Sequence, residues 1–372
     1  MSTLTKLLTR IGLSALVMAA AVSGADAKTV VVGPATCNPG PQHFTTIQAA
    51  IDNVALSAPG STVLVCPGTY PEQVVVSTPL VLQGIVSGTA GAPVITVPAG
   101  GLVPNVTTPL YGLVAAHLTV QNTTNVIVKR LTIDGASAAC PTGANRVVGI
   151  EVSGVGDATW TGSAGTVDSN VVRRVNGCDL AEGIDSENSS VTITANELHD
   201  IGRNCIVHTG LIANITNNRI QNCHMAGIQM NSAGATSLIS GNTVYAPRGV
   251  EVNQTSGIKI TSNIVGPFTG IGILTVESSN NQISSNQVNA DYTGVYMFKG
   301  AGTNIISNSI SYSTYGIVND TPQSAGTNPN SLQSNTVNEA TIGMVQYNTD
   351  GSGDSMNGNN FYNCVTTTSP TF

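Results

Sequence analysis

Asn218-Arg219-Ile220, Gly227-Ile228, Asn242-Thr243-Val244, Gly249-Val250, Asn263-Ile264-Val265 and Gly272-Ile273 run through the middle of the chain as two interleaved series. Outward in both directions the first series continues as Asn170-Val171-Val172, Asn196-Glu197-Leu198, Asn286-Gln287-Val288, Asn308-Ser309-Ile310 and Asn335-Thr336-Val337. The second continues as Gly183-Ile184, Cys205-Ile206, Gly294-Val295, Gly316-Ile317 and Gly343-Met344, with successive spacings of 22, 22, 22, 23, 22, 22 and 27. A fixed period in this range marks a solenoid. The unit holds short β-rich runs broken by Gly, Asn and Ser, with none of the 3.6-residue periodicity of a helical repeat. The predicted fold is therefore all-β, one coil of a parallel β-helix per repeat, with three short strands as its three sides. The third side shows as Val191-Thr192-Ile193, Ile258-Lys259-Ile260 and Asn304-Ile305-Ile306.

Stacking places equivalent residues about 4.8 Å apart along the axis. The aliphatics then fill a narrow core, and the Asn side chains stack at an inward turn, each amide bonding the next. The Gly positions suit either positive φ or close backbone approach. Regular coils are expected over about 125–345.

Residues 1–27 read as a signal peptide. Lys6 and Arg10 form the positive region, Ile11 to Val22 the apolar run, and Ala25-Asp26-Ala27 a small-residue cleavage site, so the mature chain is expected to span 28–372. The run is short for a membrane span, which needs about 20 residues. The expected location is secreted or periplasmic. Lys and Arg total 13 against 20 Asp and Glu, a net charge of −7. That balance argues against nucleic acid, which requires a basic stripe. Seven Cys in an exported chain predict disulfides with one thiol over. Cys37 with Cys66 is the expected pair, then Cys140 with Cys178; Cys205, Cys223 and Cys364 are not assigned.

Near the N-terminus, Phe44 to Ala55 reads as a helix. Thr45 and Gln48 fit a capping box, and Ile47, Ala50, Ile51 and Val54 form one apolar stripe. It is expected to cap the open end of the solenoid. Strands follow at Thr62 to Cys66, Gln73 to Val76 and Leu80 to Gln83, with a turn at Pro67-Gly68-Thr69-Tyr70. Insertions at Gly88 to Pro109, Gly135 to Asn145 and Gly154 to Gly165 (the last carrying Trp160) are candidate binding loops. After Met344 the pattern weakens, and Asp350 to Asn360 reads as a flexible polar segment.

The run Phe44-Thr45-Thr46-Ile47-Gln48-Ala49-Ala50-Ile51-Asp52, then Val63 to Glu72, then Leu80-Val81-Leu82-Gln83-Gly84, resembles the N-terminal coil of the pectin-lyase-like superfamily. The resemblance implies a right-handed helix and a role on polysaccharide, since the superfamily includes pectin esterases, pectate lyases, polygalacturonases and alginate epimerases. It carries over no catalytic residue. Where polygalacturonases have their acidic and histidine phrases, this chain has Glu182-Gly183-Ile184-Asp185, Arg203-Asn204-Cys205 and His224-Met225-Ala226-Gly227. The Asp-Asp pair, the pectin esterase phrase and the epimerase Asp-Pro-His phrase are all missing from the sequence.

Ionisable residues are scarce, and Arg173, Arg174, Asp179, Glu182, Asp185, Glu187, His199, Asp200, Arg203, His208 and His224 crowd into three coils. On the strand that starts at the Gly phrase, the outward column reads Glu151, Asp185, Val207, Gln229, Glu251, Leu274 and Tyr296. Glu182 and Arg248 fall just before the Gly. This column is expected to be an exposed groove, with Glu182 and Asp185 as an acid–base pair. Glu151, Trp160, Arg203, Arg248 and Glu251 are the expected substrate contacts. Truncating Asp185 is then expected to cost activity and little stability. No cofactor is expected, although the carboxylates admit Ca²⁺. No metal spacing appears among the His and Cys, and His208 is expected to point inward, away from His199. The charges also read as a plain solvated face. The expected partner is a polysaccharide or cell-envelope glycan, handled by a lyase, hydrolase or epimerase, or by a non-catalytic binding or structural protein. The oligomeric state is left open.

Overall fold

The structure, a computed structural model, describes residues 26–55, 57–88, 91–136, 138–154, 164–267, 270–320, 329–347 and 354–369. Residues 1–25 of the expected signal peptide and the loop carrying Trp160 lie outside them. Three parallel sheets form the sides of one solenoid, with 14, 12 and 13 strands among the described residues. Each strand pairs with its equivalent in the next coil. The register Ile220↔Val244 and Val244↔Val265 in the second sheet, and Ile228↔Val250 and Val250↔Ile273 in the third, reproduces the two repeat phrases. Their aliphatics lie in one continuous buried core from Val30 to Met344.

The Asn column is a bonded ladder. Asn196 N donates to Asn218 Oδ1 at 2.9 Å and Asn218 N to Asn242 Oδ1 at 2.9 Å. Asn242 N donates to Asn263 Oδ1 and Asn263 N to Asn286 Oδ1, each at 3.0 Å. Each Nδ2 also donates to the next amide oxygen, as from Asn242 to Asn263 at 3.0 Å, and to a carbonyl such as Ile215 O at 2.9 Å. The ladder satisfies buried amides that would otherwise be costly. It continues to Asn359, whose Oδ1 accepts from Asn335 N. The expected flexible segment beyond Met344 is therefore partly corrected: Ser355–Asn357, Asn360–Tyr362 and Thr366–Ser369 add a further coil.

Positive φ falls on the residue before each ladder Asn, not on the Gly phrase. It is 55–57° at Ser169, Ala195, Asn217, Ser262, Ser285, Ser307 and Ser334. The backbone N–H there bonds the next coil, as from Ala195 to Thr216 O at 3.1 Å, which offsets the strain. The Gly phrase instead marks close approach. A Cβ at Gly249 would lie 2.1 Å from Val265 Cγ1 and 2.5 Å from Gly272 O. Gly249→Ala is therefore expected to lower the free energy of unfolding by about 1–3 kcal/mol, the usual cost of overpacking, measurable by urea denaturation.

The helix spans Ile47–Val54, and its N-cap is Thr46, whose hydroxyl accepts from Ala49 N; the expected Thr45–Gln48 box does not form. Glu72 serves the helix end instead, accepting from Ile47 N at 2.8 Å and Gln48 N at 3.1 Å. That arrangement favours the carboxylate at the positive end of the helix. Gln48 is freed to hold Val75 through both backbone groups. Ile47, Ala50, Ile51 and Val54 are buried against the strands Thr29–Val32, Ser61–Val65 and Val74–Val76. The expected turn at residues 67–70 includes the start of a short strand, Thr69–Pro71, that opens the second sheet.

Disulfides join Cys37 to Cys66, Cys140 to Cys178, and Cys205 to Cys223, and Cys364 is free. The first two are the expected pairs. In the third, Cys205 occupies a Gly slot and Cys223 ends the strand Arg219–Cys223 of the following coil side.

Candidate functional site

The outward column forms as expected. Glu151 pairs with Asp185, Asp185 with Val207, Val207 with Gln229, Gln229 with Glu251, Glu251 with Leu274 and Leu274 with Tyr296. A corner at the Gly turns Ile184 into the core and leaves Glu182 and Asp185 on the outer side, where Arg146 meets both.

The exposure of this column is corrected. Glu151, Glu182 and Asp185 are each 0% exposed, and Glu251 is buried too. Over Glu151, Glu182 and Asp185 the cover is an antiparallel hairpin, Val106–Thr108 against Gly112–Val114, whose first strand falls in the insertion at 88–109 that read as a loop, whereas Glu251 is hidden by its own bonds to Gln229, Arg248 and Asn253. Val106, Val114, Ala116 and Val148 form a small apolar cluster under it, with Tyr111 alongside. Leu110 N donates to Glu187 Oε2 at 3.0 Å. The Tyr111 ring lies 3.2 Å from the Arg146 guanidinium carbon, a cation–π contact. In this conformation Glu182 and Asp185 touch no solvent, so neither meets a ligand without movement of the hairpin.

Beneath the hairpin is a buried ionic cluster. Arg146 donates to Asp185 Oδ2 at 2.6 Å and lies 3.6 Å from Glu182 Oε1; Arg203 lies 3.8 Å from the same Glu182 oxygen. Asn204 N donates to Glu182 Oε2 at 3.1 Å. Both Glu151 oxygens, Asp185 Oδ1, Glu187 Oε1 and Arg146 Nε have no hydrogen-bond partner. Four carboxyl groups thus face two guanidinium groups. Burial pushes Glu182 up to about 8 and Glu187 up to about 7, with Asp185 adding repulsion in both cases. Burial raises Glu151 strongly, helped by Asp185 and Glu187. Asp185 is raised by burial, with Arg146 pulling the other way. Burial works against the Arg146 charge, but Asp185 and Glu182 outweigh it and hold the group protonated.

These shifts have a sign. Each carboxyl binds its proton more tightly folded than unfolded, so its contribution to stability is full below the unfolded value near 4.5 and is lost as pH rises through 7–8. The melting temperature is expected to be higher at pH 5.5 than at pH 8.5, and the difference to shrink in a Glu182→Gln, Glu187→Gln variant. A melting temperature that rises over this interval would contradict the assignment.

Further along the same face the sheet is open. Asn204 Nδ2 donates to Gln229 Oε1 at 2.9 Å, and Gln229 Nε2 to Glu251 Oε1 at 3.4 Å. Asn253 Nδ2 donates to Glu251 Oε1 and to Asn231 Oδ1, each at 2.9 Å. Arg248 donates to Glu251 Oε2 at 2.9 Å, and its side chain is half exposed. The expected contacts Arg203, Arg248 and Glu251 thus share one face; Arg248 is already paired with Glu251, and Arg203 lies beside the Glu182 carboxyl group.

Other members of the charged group stand elsewhere. Arg173 and Arg174 grip Asp134, whose pKa falls because those bonds outweigh its burial. His199 bonds Asp200 at 2.7 Å. His208 is buried, bonding Ser186 Oγ and Leu211 O, and burial lowers its pKa. Among the described residues no group of three or more His, Cys, Asp or Glu is arranged to hold a metal. Sequence reasoning missed Arg146 and Tyr111. The one available signal was the phrase Gly149-Ile150-Glu151, which places Arg146 at the edge of the preceding coil.

Residues 182–336 match the family described as right handed beta helix region. No curated protein matches the chain. Among solved structures, the A-module of mannuronan C-5 epimerase AlgE4 from Azotobacter vinelandii is similar over 87% of this chain and 92% of its own, at 17% identity and a TM-score of 0.66. The Dettilon tailspike protein is similar over 86% of this chain and 65% of its own, at 15% identity and a TM-score of 0.64. The GH136 lacto-N-biosidase from Eubacterium ramulus covers 92% of this chain and 67% of its own, at 12% identity and a TM-score of 0.51. Identities this low speak to fold alone. The chain is a right-handed parallel β-helix protein with the pectin-lyase-like fold.

Proposed function

We propose that this is an exported glycan-binding protein whose contact surface is the open outer face of the third sheet, from Asn204 to Asn253. The observation that carries the reading is the chain of amides and charges on that face. Asn204, Gln229, Asn231, Arg248, Glu251 and Asn253 join in hydrogen bonds across three coils, and Gln229, Asn231, Arg248 and Asn253 remain partly exposed. Such groups exchange hydrogen bonds with sugar hydroxyls at little net cost. Support also comes from the fold, which is shared with an epimerase of mannuronan and a lacto-N-biosidase. Three disulfides favour a place outside the cytoplasm, secreted or periplasmic, and no described helix is long and apolar enough to cross a membrane. The reading uses no cofactor; Ca²⁺ enters only in the catalytic alternative.

A second reading, an enzyme on polysaccharide, is favoured by one observation. Glu182 holds a proton near neutral pH beside Arg203, whose side chain reaches solvent. A carboxylic acid so tuned is suited to general acid catalysis with Asp185 as its partner, once the hairpin over them lifts.

The test is affinity electrophoresis and calorimetry on a panel of neutral and acidic polysaccharides, with reducing-end and unsaturated-product assays, with and without Ca²⁺. Binding without product supports the first reading. Product formation that Glu182→Gln abolishes, with binding retained, supports the second. Absence of binding to any glycan would defeat both.

A further inference from the structure

Beyond the polar band, the same sheet face changes character. The column Gln229, Glu251, Leu274 leads to Tyr296, and the next column, Asn231, Asn253, Val276, leads to Phe298, Asp320 and Tyr347. Tyr296 and Phe298 alternate with the buried Val295 and Met297, so both rings stand on the outer face, 6.2 Å apart and edge to face. Tyr292, 55% exposed, meets Tyr315 edge to face at 5.6 Å. Tyr296 donates to Asp320 Oδ2 at 3.1 Å, which fixes its ring. Burial and this bond push its pKa up to about 12, with Tyr347 and Tyr292 close enough to contribute. Five aromatic rings therefore gather on three adjacent coils of a chain that is only 4% aromatic.

We propose that this shelf is a second subsite of the same face, and that it takes uncharged pyranose residues of a glycan chain lying along the solenoid axis. The proposal rests on the glycan-binding reading and adds the class of sugar. Its geometry is simple. Coils repeat about every 4.8 Å, a distance comparable with the length of one pyranose residue. A chain along the axis meets a new side chain with each sugar. Aromatic faces carry negative charge density and attract the C–H groups of a sugar ring. Hydrogen bonding at Gln229 and Asn253 and stacking at Tyr296, Phe298 and Tyr347 then act on one ligand at points spread over six coils.

Charge selects the class. Around the shelf the carboxylates are Asp291, Asp320 and Glu277; the nearby cation is Lys299, half exposed, 3.9 Å from Glu277 and 4.9 Å from the centroid of the Phe298 ring, one face of which it covers. Upstream, Arg248 is paired with Glu251, and Arg203 lies 3.8 Å from Glu182. The whole chain carries −7. A polyuronate laid on this shelf would bring its carboxylates toward Asp291, Asp320 and Glu277, against a Debye length of about 8 Å at physiological salt, with Lys299 as the nearby cation. An uncharged chain meets no such repulsion.

The experiment is calorimetry of the full chain against soluble neutral glucans, mannans and galactans and against polygalacturonate and alginate. Proteins are the wild type, Tyr296→Ala with Phe298→Ala, and Tyr292→Ala alone as the variant safest for folding. Sedimentation velocity runs in parallel. The expected result is binding to a neutral polymer that weakens roughly tenfold in the double variant and less in Tyr292→Ala, with melting temperatures unchanged for Tyr292→Ala. Preference for a polyuronate would overturn the class of sugar. Binding that is equal in all three proteins would overturn the shelf while leaving the polar face standing. Binding to no glycan overturns both, and a concentration-dependent dimer abolished by Tyr292→Ala would make the shelf a self-association surface instead.

Discussion

Asp185→Ala is expected to lower the free energy of unfolding by about 3 kcal/mol, toward the lower end of the range for breaking a buried ion pair. Its carboxylate accepts from Arg146 at 2.6 Å in a site that is 0% exposed. Removal leaves the guanidinium with Glu182 at 3.6 Å and the Tyr111 ring as its remaining partners. Both soften the loss, as does relief of repulsion against Glu151 and Glu187. This reverses the expectation drawn from the sequence, in which an exposed Asp185 contributed little to folding. Asp185→Asn keeps the shape and an acceptor, so it should cost less than Asp185→Ala. Urea denaturation of the two variants checks the order, and an unaltered midpoint in Asp185→Ala would mean that the pair is not formed in solution.

Asn263→Ala is expected to cost about 4 kcal/mol. Asn263 Oδ1 accepts from both Asn242 N and Asn242 Nδ2, and its own Nδ2 donates to Ile239 O and Asn286 Oδ1. Truncation strands several buried polar groups at once, each costing about 1–3 kcal/mol, though these losses are not additive. Asn263→Asp should also destabilise, because a carboxylate cannot donate to Ile239 O. Thermal unfolding of Asn263→Ala beside an exposed strand control such as Asn304→Ala separates the ladder from ordinary surface change. Equal losses in the two would contradict a ladder that stabilises through buried bonds.

The solenoid was legible because stacking turns a local requirement into a column. Asn263 must bond Asn242 and Asn286, and Gly249 must admit Val265 and Gly272, so the same residue type recurs at the same offset. The direction of Asp185 was legible for the same reason, since its place relative to Gly183 fixes which side it faces. Its burial was not. The covering contact from Leu110 to Glu187 joins residues 77 apart, through a hairpin that belongs to no repeat. Arg146 escaped notice on similar grounds, since its role depends on a guanidinium reaching along the stack to the next coil. At the N-terminus the stripe Ile47, Ala50, Ile51 and Val54 identified the helix. Its cap was misassigned because Glu72, a tertiary partner, supplied the bonds a local box would have made. Cys205 concealed its disulfide by sitting where a small buried residue was needed in any case. The aromatic shelf was visible only in part: Tyr296 lay in the outward column, but Phe298, Tyr315 and Tyr347 come together through three different offsets.

The most direct test of the glycan-contact face is the affinity of the Gln229→Ala, Asn253→Ala variant for the best-bound polymer of the panel, read by calorimetry with the melting temperature as control. Both side chains are partly exposed and lie outside the core. The predicted result is a loss of roughly tenfold or more in affinity with the fold retained, the melting temperature falling only by what the bonds lost to Glu251 and Asn204 account for. Wild-type affinity in this variant would contradict the assignment of the third sheet's outer face as the contact surface.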